Sequence, residues 1–380
     1  MKRRTFLQIA GAAGGGVTLL GLARAEQAGL LGPRAGYDTW DELDHERGLR
    51  AIVAAGVLAA NPHNSQPWAF HLGGESIELR LDLSRKLGPV DPFLRQLHVG
   101  IGCALENLCV GATMQGLAAS AALFPDPSDV TLAARLTLAR AAGPPARHAA
   151  AIVHRHTNRG PYVRAQALDV ATGDALRAQV RGDDTHLAMF DATSAAGHSF
   201  VDAVVHGTEE LIDDPEFMRA TDAWFRWTPR EVGGHRDGPA LEAAGLSPWR
   251  RVFAQLAPRP SGARYHRAWL EATRDVHLAT APAFGVISVR DPAEETQLIE
   301  AGRLWQRLHL EATLRQLAMQ PLDQWLELID RTRQRGRAAP LSGTSFAPAG
   351  FVPVMMFRAG TPQRSAQPSA RRPLDDVIVS

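Results

Sequence analysis

The chain has 380 residues, of which 45% are hydrophobic and 21% charged, which is long enough for two domains with a large buried core. Its 41 basic and 40 acidic residues nearly balance, so the composition carries no sign of a nucleic-acid-binding protein. Only two cysteines occur, Cys103 and Cys109. On one helix they would lie about 9 Å apart, which is too far for a disulfide, so we expect two small apolar core side chains.

Residues 1–25 have the pattern of an export signal. The basic run Lys2-Arg3-Arg4 precedes an apolar, Gly- and Ala-rich stretch that ends in Ala23-Arg24-Ala25. Paired arginines and an Ala-x-Ala ending are typical of a twin-arginine signal removed after Ala25, whereas a spanning helix needs about 20 strongly apolar residues. The alternative is an uncleaved N-terminal anchor. We predict export by the twin-arginine translocation machinery to the periplasm or another extracytoplasmic compartment, without stable membrane insertion.

Residues 61–68 form a compact polar loop, Asn61-Pro62-His63-Asn64-Ser65-Gln66-Pro67-Trp68. Asn and Gln side chains each offer an acceptor and a donor pair, so together they can bind the edge of a heteroaromatic ring or a polyol chain. The two prolines restrict the loop and lower the entropy that is lost on binding. The alternative is an ordinary turn beside a strand, because the same residue types dominate turns.

Two further segments share this chemistry, Arg155-His156-Thr157-Asn158-Arg159 and Pro368-Ser369-Ala370-Arg371-Arg372-Pro373. With the loop, they resemble three motifs of the FMN-dependent nitroreductase superfamily: Ser-x-x-Asn-x-Gln-Pro-Trp, Arg-His/Arg-Ser/Thr-x-Arg/Lys and a closing Pro-Lys-Ser-Arg-x-Pro. The resemblance spans most of the chain after the signal. It implies an α+β, nitroreductase-like FMN-binding sandwich.

The resemblance also implies a set of FMN-binding residues. Arg155, Arg159 and Arg371 would neutralise the phosphate, because guanidinium forks match its oxygens. The alternative for each arginine is a solvated surface charge. The remaining residues contact the phosphate, the ribityl chain or the ring: Asn61, Pro62, His63, Asn64, Gln66, His156, Thr157, Pro321 and Asp323.

Residues 320–324, Gln320-Pro321-Leu322-Asp323-Gln324, are similar to the family's Pro-Ile-Glu-Gly segment, whose backbone amide faces the flavin N5. Gln324 stands where the family has Gly, so the resemblance leaves Asp323 a role through its backbone. We expect no catalytic acid or base, because a flavin carries its own redox chemistry. The histidines at 63, 71, 154 and 156 lack the spacing of metal ligands, and we expect no metal site.

The chain contains an internal repeat. Residues 97–117 have the three-and-four apolar spacing of a buried helix, and so does a second stretch 200 residues later. Shared helical periodicity is the alternative explanation. The aligned pairs are Gly102 with Gly302, Leu108 with Leu308, Ala112 with Ala312, Thr113 with Thr313 and Leu117 with Leu317. Apolar patterns predict strands at 76–83, 284–289 and 351–358. Nitroreductases normally work as homodimers, so the repeat predicts two tandem nitroreductase-like halves that form a monomeric pseudo-dimer.

Ala142-Gly143-Pro144-Pro145 predicts the boundary, because glycine and proline discourage helix and strand. Residues 26–145 would form the first half and residues 146–380 the second, with a lid-like insertion at about 220–260. The polar loop lies in the first half. The segment 155–159, which we call the arginine arm, lies in the second half. The acids at 41–46 would repel a phosphate at the equivalent site. One intact flavin site follows, as in a single-chain branch that resembles the mycobacterial Acg proteins.

Two functions are compatible with these motifs. The first is an exported FMN-dependent oxidoreductase that passes hydride from a small-molecule donor to a small electron-poor acceptor. The second is a protein that holds FMN in an occluded site without turnover, because relatives of the Acg type carry an insertion over the flavin as a lid. A surface excursion with its aromatic side chains in a local core is the alternative to a lid.

Overall fold

The computed structural model describes residues 24–32, 35–338 and 346–379. The twin-arginine signal was predicted over residues 1–25, and all of it except Arg24 and Ala25 lies outside the described residues. Ala25 itself is buried and packs in a small apolar cluster with Val252. Cleavage after Ala25 stays a prediction.

The first half is built on one antiparallel sheet that packs against a long helix. Its helices are α1 (Thr39–His45), α2 (Gly48–Val57) and α3 (Arg95–Met114). Its strands are β1 (Trp68–Gly73), β2 (Ser76–Leu81), β3 (Leu117–Leu123) and β4 (Leu132–Arg140). They lie in the order β3-β4-β2-β1.

The second half contains a second antiparallel sheet and most of the helices. Its strands are β5 (Thr185–Asp191), β6 (Ala283–Val289), β7 (Ala318–Pro321) and β8 (Val352–Gly360), in the order β5-β6-β8-β7. A last strand, β9 (Ile378–Val379), leaves this half and pairs parallel with β1 of the first sheet. The helices are α4 (Val170–Arg177), α5 (Ala195–Ile212), α6 (Pro215–Trp224), α7 (Pro229–His235), α8 (Pro248–Leu256), α9 (Gly262–Ala272), α10 (Glu295–Leu314), α11 (Gln324–Gln334) and α12 (Leu374–Val377).

The two sheets have the same topology. Read from its other edge, the second sheet runs β7-β8-β6-β5, which matches β3-β4-β2-β1 strand for strand. In each half a strand is followed by a 20-residue helix, and the bounds of α3 and α10 differ by 200 residues at both ends. The predicted α+β fold with two tandem halves is therefore confirmed. The segment around 142–146 contains neither helix nor strand, and the boundary near 145 stays a prediction.

Helices α3 and α10 cross at the two glycines that the repeat aligns. A Cβ atom on Gly102 would lie 2.0 Å from the Ile299 carbonyl oxygen, and a Cβ on Gly302 would lie 2.0 Å from that of Val99. The two contacts are related by the same 200-residue offset, as expected for a pseudo-twofold axis through the crossing. α3 is apolar and long enough to span a membrane by length and composition. Here, however, most of it is buried in the core against α10, so it is a core helix of the fold.

The predicted strands occur with shifted ends, and both cysteines lie on α3 as expected. Cys103 is buried and Cys109 partly buried, and both are free thiols. Burial raises the pKa of the Cys109 thiol to about 11. Neither cysteine is therefore poised as a thiolate.

The connection from β5 to β6 distinguishes the two halves. Strands β1 and β2 are joined by a tight hairpin turn, whereas residues 192–282 separate β5 from β6 and contain α5 to α9. Helices α5, α6 and α7 of this excursion begin at side-chain caps. Asp214 accepts from the first amides of α6, and Thr228 with Glu231 forms a capping box on α7. The predicted insertion at about 220–260 is the middle of this excursion.

Candidate functional site

A cavity of about 560 Å³ lies between the two halves and beneath the excursion. Its volume falls within the range of small-molecule sites. α3 contributes Gly100 and Cys103, and the excursion contributes Phe225, Trp227 and Trp269. One wall thus belongs to the pseudo-symmetric core, and the opposite wall to the segment that only the second half contains.

The cavity brings together seven of the residues that the sequence predicts for cofactor binding. They are Asn61, Pro62, His63, Thr157, Arg159, Pro321 and Asp323. Gln324 also lines the cavity, so the side chain that replaces the family's glycine faces the site. The other predicted residues are not part of this lining: Asn64, Gln66, Arg155, His156 and Arg371. A direct contact between these five residues and a cofactor stays a prediction.

The polar loop has an unusual backbone. His63, Asn64 and Gln66 have φ angles of 49°, 49° and 52°, a left-handed conformation that non-glycine residues rarely adopt and that commonly marks functional sites. The Asn61 side chain closes the loop by accepting from the Gln66 amide at 2.8 Å. The loop is therefore held in a strained, preorganised form.

The side chains of Asn64 and Gln66 hold other segments against the loop. Asn64 donates to the Ala370 carbonyl at 2.9 Å, and Gln66 donates to the Arg236 carbonyl at 2.8 Å. The Gln66 carbonyl oxygen accepts from the Arg372 amide at 2.8 Å. These two residues thus join the first half to the excursion and to the C-terminal segment, a structural role that the sequence did not predict.

Arg155 and Arg371 bind carbonyl groups at the end of α2. Arg371 donates to the carbonyls of Val57 at 2.8 Å and Ala59 at 3.1 Å, and Arg155 donates to that of Leu58 at 2.9 Å. Carbonyls at a helix C-terminus attract cations. The guanidinium of Arg371 also lies 5.1 Å from the centre of the Trp40 ring.

These two arginines form a buried positive site. They are only 2% and 3% exposed, and neither has a carboxylate partner among the described residues. The Arg155 Nε atom has no hydrogen-bond partner among the residues that the structure describes. Burial lowers the pKa of Arg155 to about 10, and burial together with the charge of Arg155 lowers the pKa of Arg371 to about 9. Both remain charged at neutral pH, and buried charge without a counter-ion is costly, so the site fits an anion.

The nearby histidines do not add to this charge. Burial, and then the positive charges of Arg155 and Arg371, lower the pKa of His156 to about 3. Burial, and then Arg159, lower the pKa of His63 to about 4. Both imidazoles are therefore neutral at pH 7 and can offer one donor and one acceptor each.

Two carboxyl groups that the sequence did not indicate, those of Glu327 and Asp330, lie close to the predicted Asp323. Arg95 donates to Asp330 at 2.8 Å and lies 3.7 Å from Asp323, while Gln96 donates to Glu327 at 3.0 Å. Burial, and then the neighbouring acid Asp323, raise the pKa of Glu327 to about 8. Burial also raises the pKa of Asp323 to about 6. The spacing 323, 327, 330 places the three acids on one helical face, a pattern that could have indicated this cluster.

The excursion is fastened over the cavity by Asp237. Its carboxylate accepts from Arg226 at 2.7 Å and from Arg85 of the first half. The Gly238 amide donates to the Asn64 carbonyl at 3.2 Å. Phe225, Trp227 and Tyr265 form an aromatic group beneath it, with ring centres 4.8 to 5.0 Å apart. The excursion thus covers the cavity, and its opening as a lid stays a prediction.

Within the described ranges, no group of three or more His, Cys, Asp or Glu side chains is placed to hold a metal ion. The cavity lining therefore combines the Arg159 guanidinium, an apolar aromatic wall and a carboxyl-rich end formed by Asp323 and Glu327, whereas Arg155 and Arg371 are not part of the lining.

Two proteins of Mycobacterium tuberculosis strain ATCC 25618 / H37Rv are related to the chain. One is named "Putative NAD(P)H nitroreductase Rv3131" and is 26% identical over 344 residues, which cover 87% of this chain and 90% of the relative. The other is named "Putative NAD(P)H nitroreductase acg" and is 26% identical over 350 residues, 87% of this chain and 95% of the relative. No protein-family model matches the chain.

The FMN and NADPH-dependent nitroreductase NfnB of Sphigopyxis sp. strain HMH aligns with a TM-score of 0.39 and 14% identity, over 62% of this chain and 99% of that one. NfnB of Mycobacterium smegmatis in complex with NADPH aligns with a TM-score of 0.38 and 15% identity, over 62% and 98%. Over nearly the whole length of each relative, the chain is therefore similar to mycobacterial proteins that are named as NAD(P)H nitroreductases, the Acg protein among them.

Proposed function

We propose that this chain is an FMN-dependent oxidoreductase that passes hydride from a small-molecule donor to a small electron-poor acceptor such as a nitroaromatic or a quinone. The observation that carries the proposal is the buried pair Arg155 and Arg371, which have no carboxylate partner among the described residues beside a cavity of about 560 Å³. FMN offers both a phosphate dianion and a flat ring. Relatives named NAD(P)H nitroreductases support the same activity.

In this proposal the chain's residues bind and orient FMN, and FMN supplies the redox chemistry when bound. Arg155, Arg371 and Arg159 hold the phosphate end through charge-assisted hydrogen bonds. Thr157, Asn61 and His63 offer neutral hydrogen-bonding groups along the cavity. The aromatic wall of the excursion excludes water from the ring.

The carboxyl-rich end contributes a proton. With a pKa of about 8, the Glu327 carboxyl is mostly protonated at neutral pH, and it lines the cavity. Reduction of a nitro group consumes protons as well as electrons, so in this proposal Glu327 is a proton source in the cavity lining, a role that the sequence did not lead us to expect.

A second function is favoured by the closed excursion. Asp237 joins both sides through two guanidinium groups, and the loop 61–68 is hydrogen-bonded to residues 236 and 238. An excursion that is fastened in this way over the cavity supports an FMN-sequestering protein with an occluded site and no turnover.

Reconstitution followed by anaerobic reduction separates these functions. We expect one FMN per chain, because one arginine arm and one polar loop are present, and we expect NADH or NADPH to bleach the flavin and a nitroaromatic to restore its colour. Two FMN per chain would show a working site in the first half. Flavin that dithionite reduces but NADH and NADPH do not would favour sequestration, and failure to bind FMN would refute both functions.

Export and a monomeric state also belong to the proposal. The arginine pair at residues 3 and 4 supports transport of the folded, FMN-loaded chain by the twin-arginine machinery. Replacement of both arginines by lysine should retain the protein in the cytoplasm on cell fractionation. Light scattering should give the mass of one chain, because both pseudo-subunits are already present.

A further inference from the structure

A second cavity of about 330 Å³ adjoins the first. Arg159, Ala244, Leu246, Ala272 and His277 line both cavities, so the two spaces are neighbours that share one wall. We call the second space the annex. Its other lining residues are Pro161, Gly245, Ser247, Trp249, Arg250, Val276 and Arg364.

The annex carries positive charge without a counter-charge. Its charged lining residues are Arg159, Arg250 and Arg364, and the lining contains no Asp or Glu. Arg364 donates to the Gly245 carbonyl at 3.3 Å, and Arg159 donates to the Ala243 carbonyl at 3.5 Å. None of the three forms an ion pair with a described residue. The annex therefore attracts anions.

The annex also offers a flat aromatic surface. The Trp249 ring is 55% exposed, and the Arg250 guanidinium lies 5.3 Å from its centre. Such a pair can stack on an aromatic ligand while the guanidinium binds an attached anionic group. The volume suits one small aromatic ring with a carboxylate and is too small for a macromolecular segment.

The two cavities together are electrically polarised. Asp323 and Glu327 line the end of the large cavity that contains Arg95, whereas the annex contains arginines and no acids. At the first end Glu327 is mostly protonated at neutral pH and Arg95 offsets the charge of Asp323, whereas no acid of the annex lining offsets its three arginines, so an anion binds more favourably in the annex. An acceptor with a reducible group and a carboxylate would therefore place its carboxylate in the annex.

We propose that the annex is the binding site for the anionic group of an aromatic acceptor, so that the protein prefers aromatic carboxylates with a reducible group over neutral aromatics. The inference rests on the proposed oxidoreductase function and adds the substrate class. Arg250 and Arg364 bind the carboxylate, and Trp249 stacks on the ring. Arg159 joins the annex to the FMN cavity.

The test compares 4-nitrobenzoate with nitrobenzene on the FMN-loaded protein. Titration calorimetry should give 4-nitrobenzoate at least tenfold tighter binding, and the preference should shrink as salt is raised, because exposed charges are screened. In Arg250→Gln/Arg364→Gln the preference should fall close to one. Arg140→Gln, at an exposed arginine of β4 in the first half, is the matched control and should keep it.

The same variants distinguish the other sources of an anion. Equal binding of both probes by the wild type would overturn the proposal. If the double variant loses affinity for FMN tenfold but keeps its affinity for riboflavin, the annex binds the flavin phosphate. If it loses affinity for NADPH alone, the annex binds the electron donor. Both outcomes overturn it. Calorimetry needs no turnover, so it tests the anion site separately from the activity. If the protein binds 4-nitrobenzoate selectively but its flavin is not reduced by NADH or NADPH, the oxidoreductase function is refuted and the anion site is retained.

Discussion

The first and second halves share one fold but contribute different chemistry. Their sheets have the same strand order, and α3 and α10 meet at equivalent glycines. Yet the position of Arg95, which is buried at the cavity wall, is occupied in the second half by Glu295, whose side chain is 56% exposed. Only the second half carries the excursion 192–282. The core therefore retains the pseudo-twofold symmetry, whereas the cavity lining does not.

This difference has a physical cause. The crossing of α3 and α10 requires glycine on both helices, because each one packs on the other's backbone. A ligand site at the interface needs only one working set of charges. Because both halves belong to one chain, they can supply different parts of the site. The first half supplies the polar loop, and the second half supplies the arginine arm and the excursion.

The largest expected effect breaks the symmetric crossing. Gly302→Val would push a side chain into the Val99 carbonyl, and we expect a loss of about 3 kcal/mol or more of unfolding free energy. Gly102→Val should cost about as much, because its contact with Ile299 is equivalent. Urea denaturation measures both. Gly234→Ala, on an exposed face of α7 with no atom near the new Cβ, is the control, and a Gly302→Val variant as stable as the wild type would contradict the crossing.

The next effect tests the arginine arm. Arg155→Ala should weaken FMN binding roughly ten- to a hundredfold, because a charge-assisted hydrogen bond contributes about 1.5–3 kcal/mol. Riboflavin, which lacks the phosphate, should be affected far less. Fluorescence quenching titrations give both affinities. Arg50→Ala, in an exposed ion pair of the first half, should leave both unchanged, and equal losses of the two ligands in Arg155→Ala would place this residue away from the phosphate.

A smaller effect concerns the excursion. Asp237→Asn removes the negative charge between Arg226 and Arg85, so the excursion should move away from the cavity more often. FMN should then dissociate several-fold to about tenfold faster. Stopped-flow release into excess riboflavin-binding protein measures the rate, and limited proteolysis should cut the excursion sooner. Asp213→Asn, at an exposed position after α5, is the control. An unchanged rate of FMN release and an unchanged rate of proteolytic cleavage would show that Asp237 does not hold the excursion over the cavity.

The last effect is a pH dependence. The folded-state pKa of Glu327 is raised from 4.5 to about 8, so its protonation stabilises the fold fully below pH 4.5, and this contribution is lost as pH rises to about 8. Above pH 6.5 the wild type should lose no more than about 1.4 kcal/mol per pH unit from this group. Glu327→Gln should flatten the profile, whereas Glu209→Gln, on an exposed part of α5, should not. A wild-type profile that rises over this window would contradict the assignment.

Local pattern was sufficient for much of the fold. Apolar periodicity located α3, α10 and the strands β2, β6 and β8 within a few residues, because side-chain spacing alone decides which face of an element can be buried. The 200-residue repeat was visible because the helix crossing accepts only glycine. The polar loop was visible because turn residues and amide side chains coincide in one short segment.

Distant residues meet only through the packing of helices and strands. Asp323, Glu327 and Asp330 acquire their shared environment from Arg95, more than 220 residues earlier in the chain. Asp237 gains its role from Arg85, and the annex joins Arg159 to Arg250 and Arg364. Sequence spacing fixes neighbours within one helix or strand, whereas the charge that a buried side chain experiences depends on how elements pack. Local sequence patterns therefore specified the two halves and their motifs, whereas the packing between the halves set the electrostatics of the site.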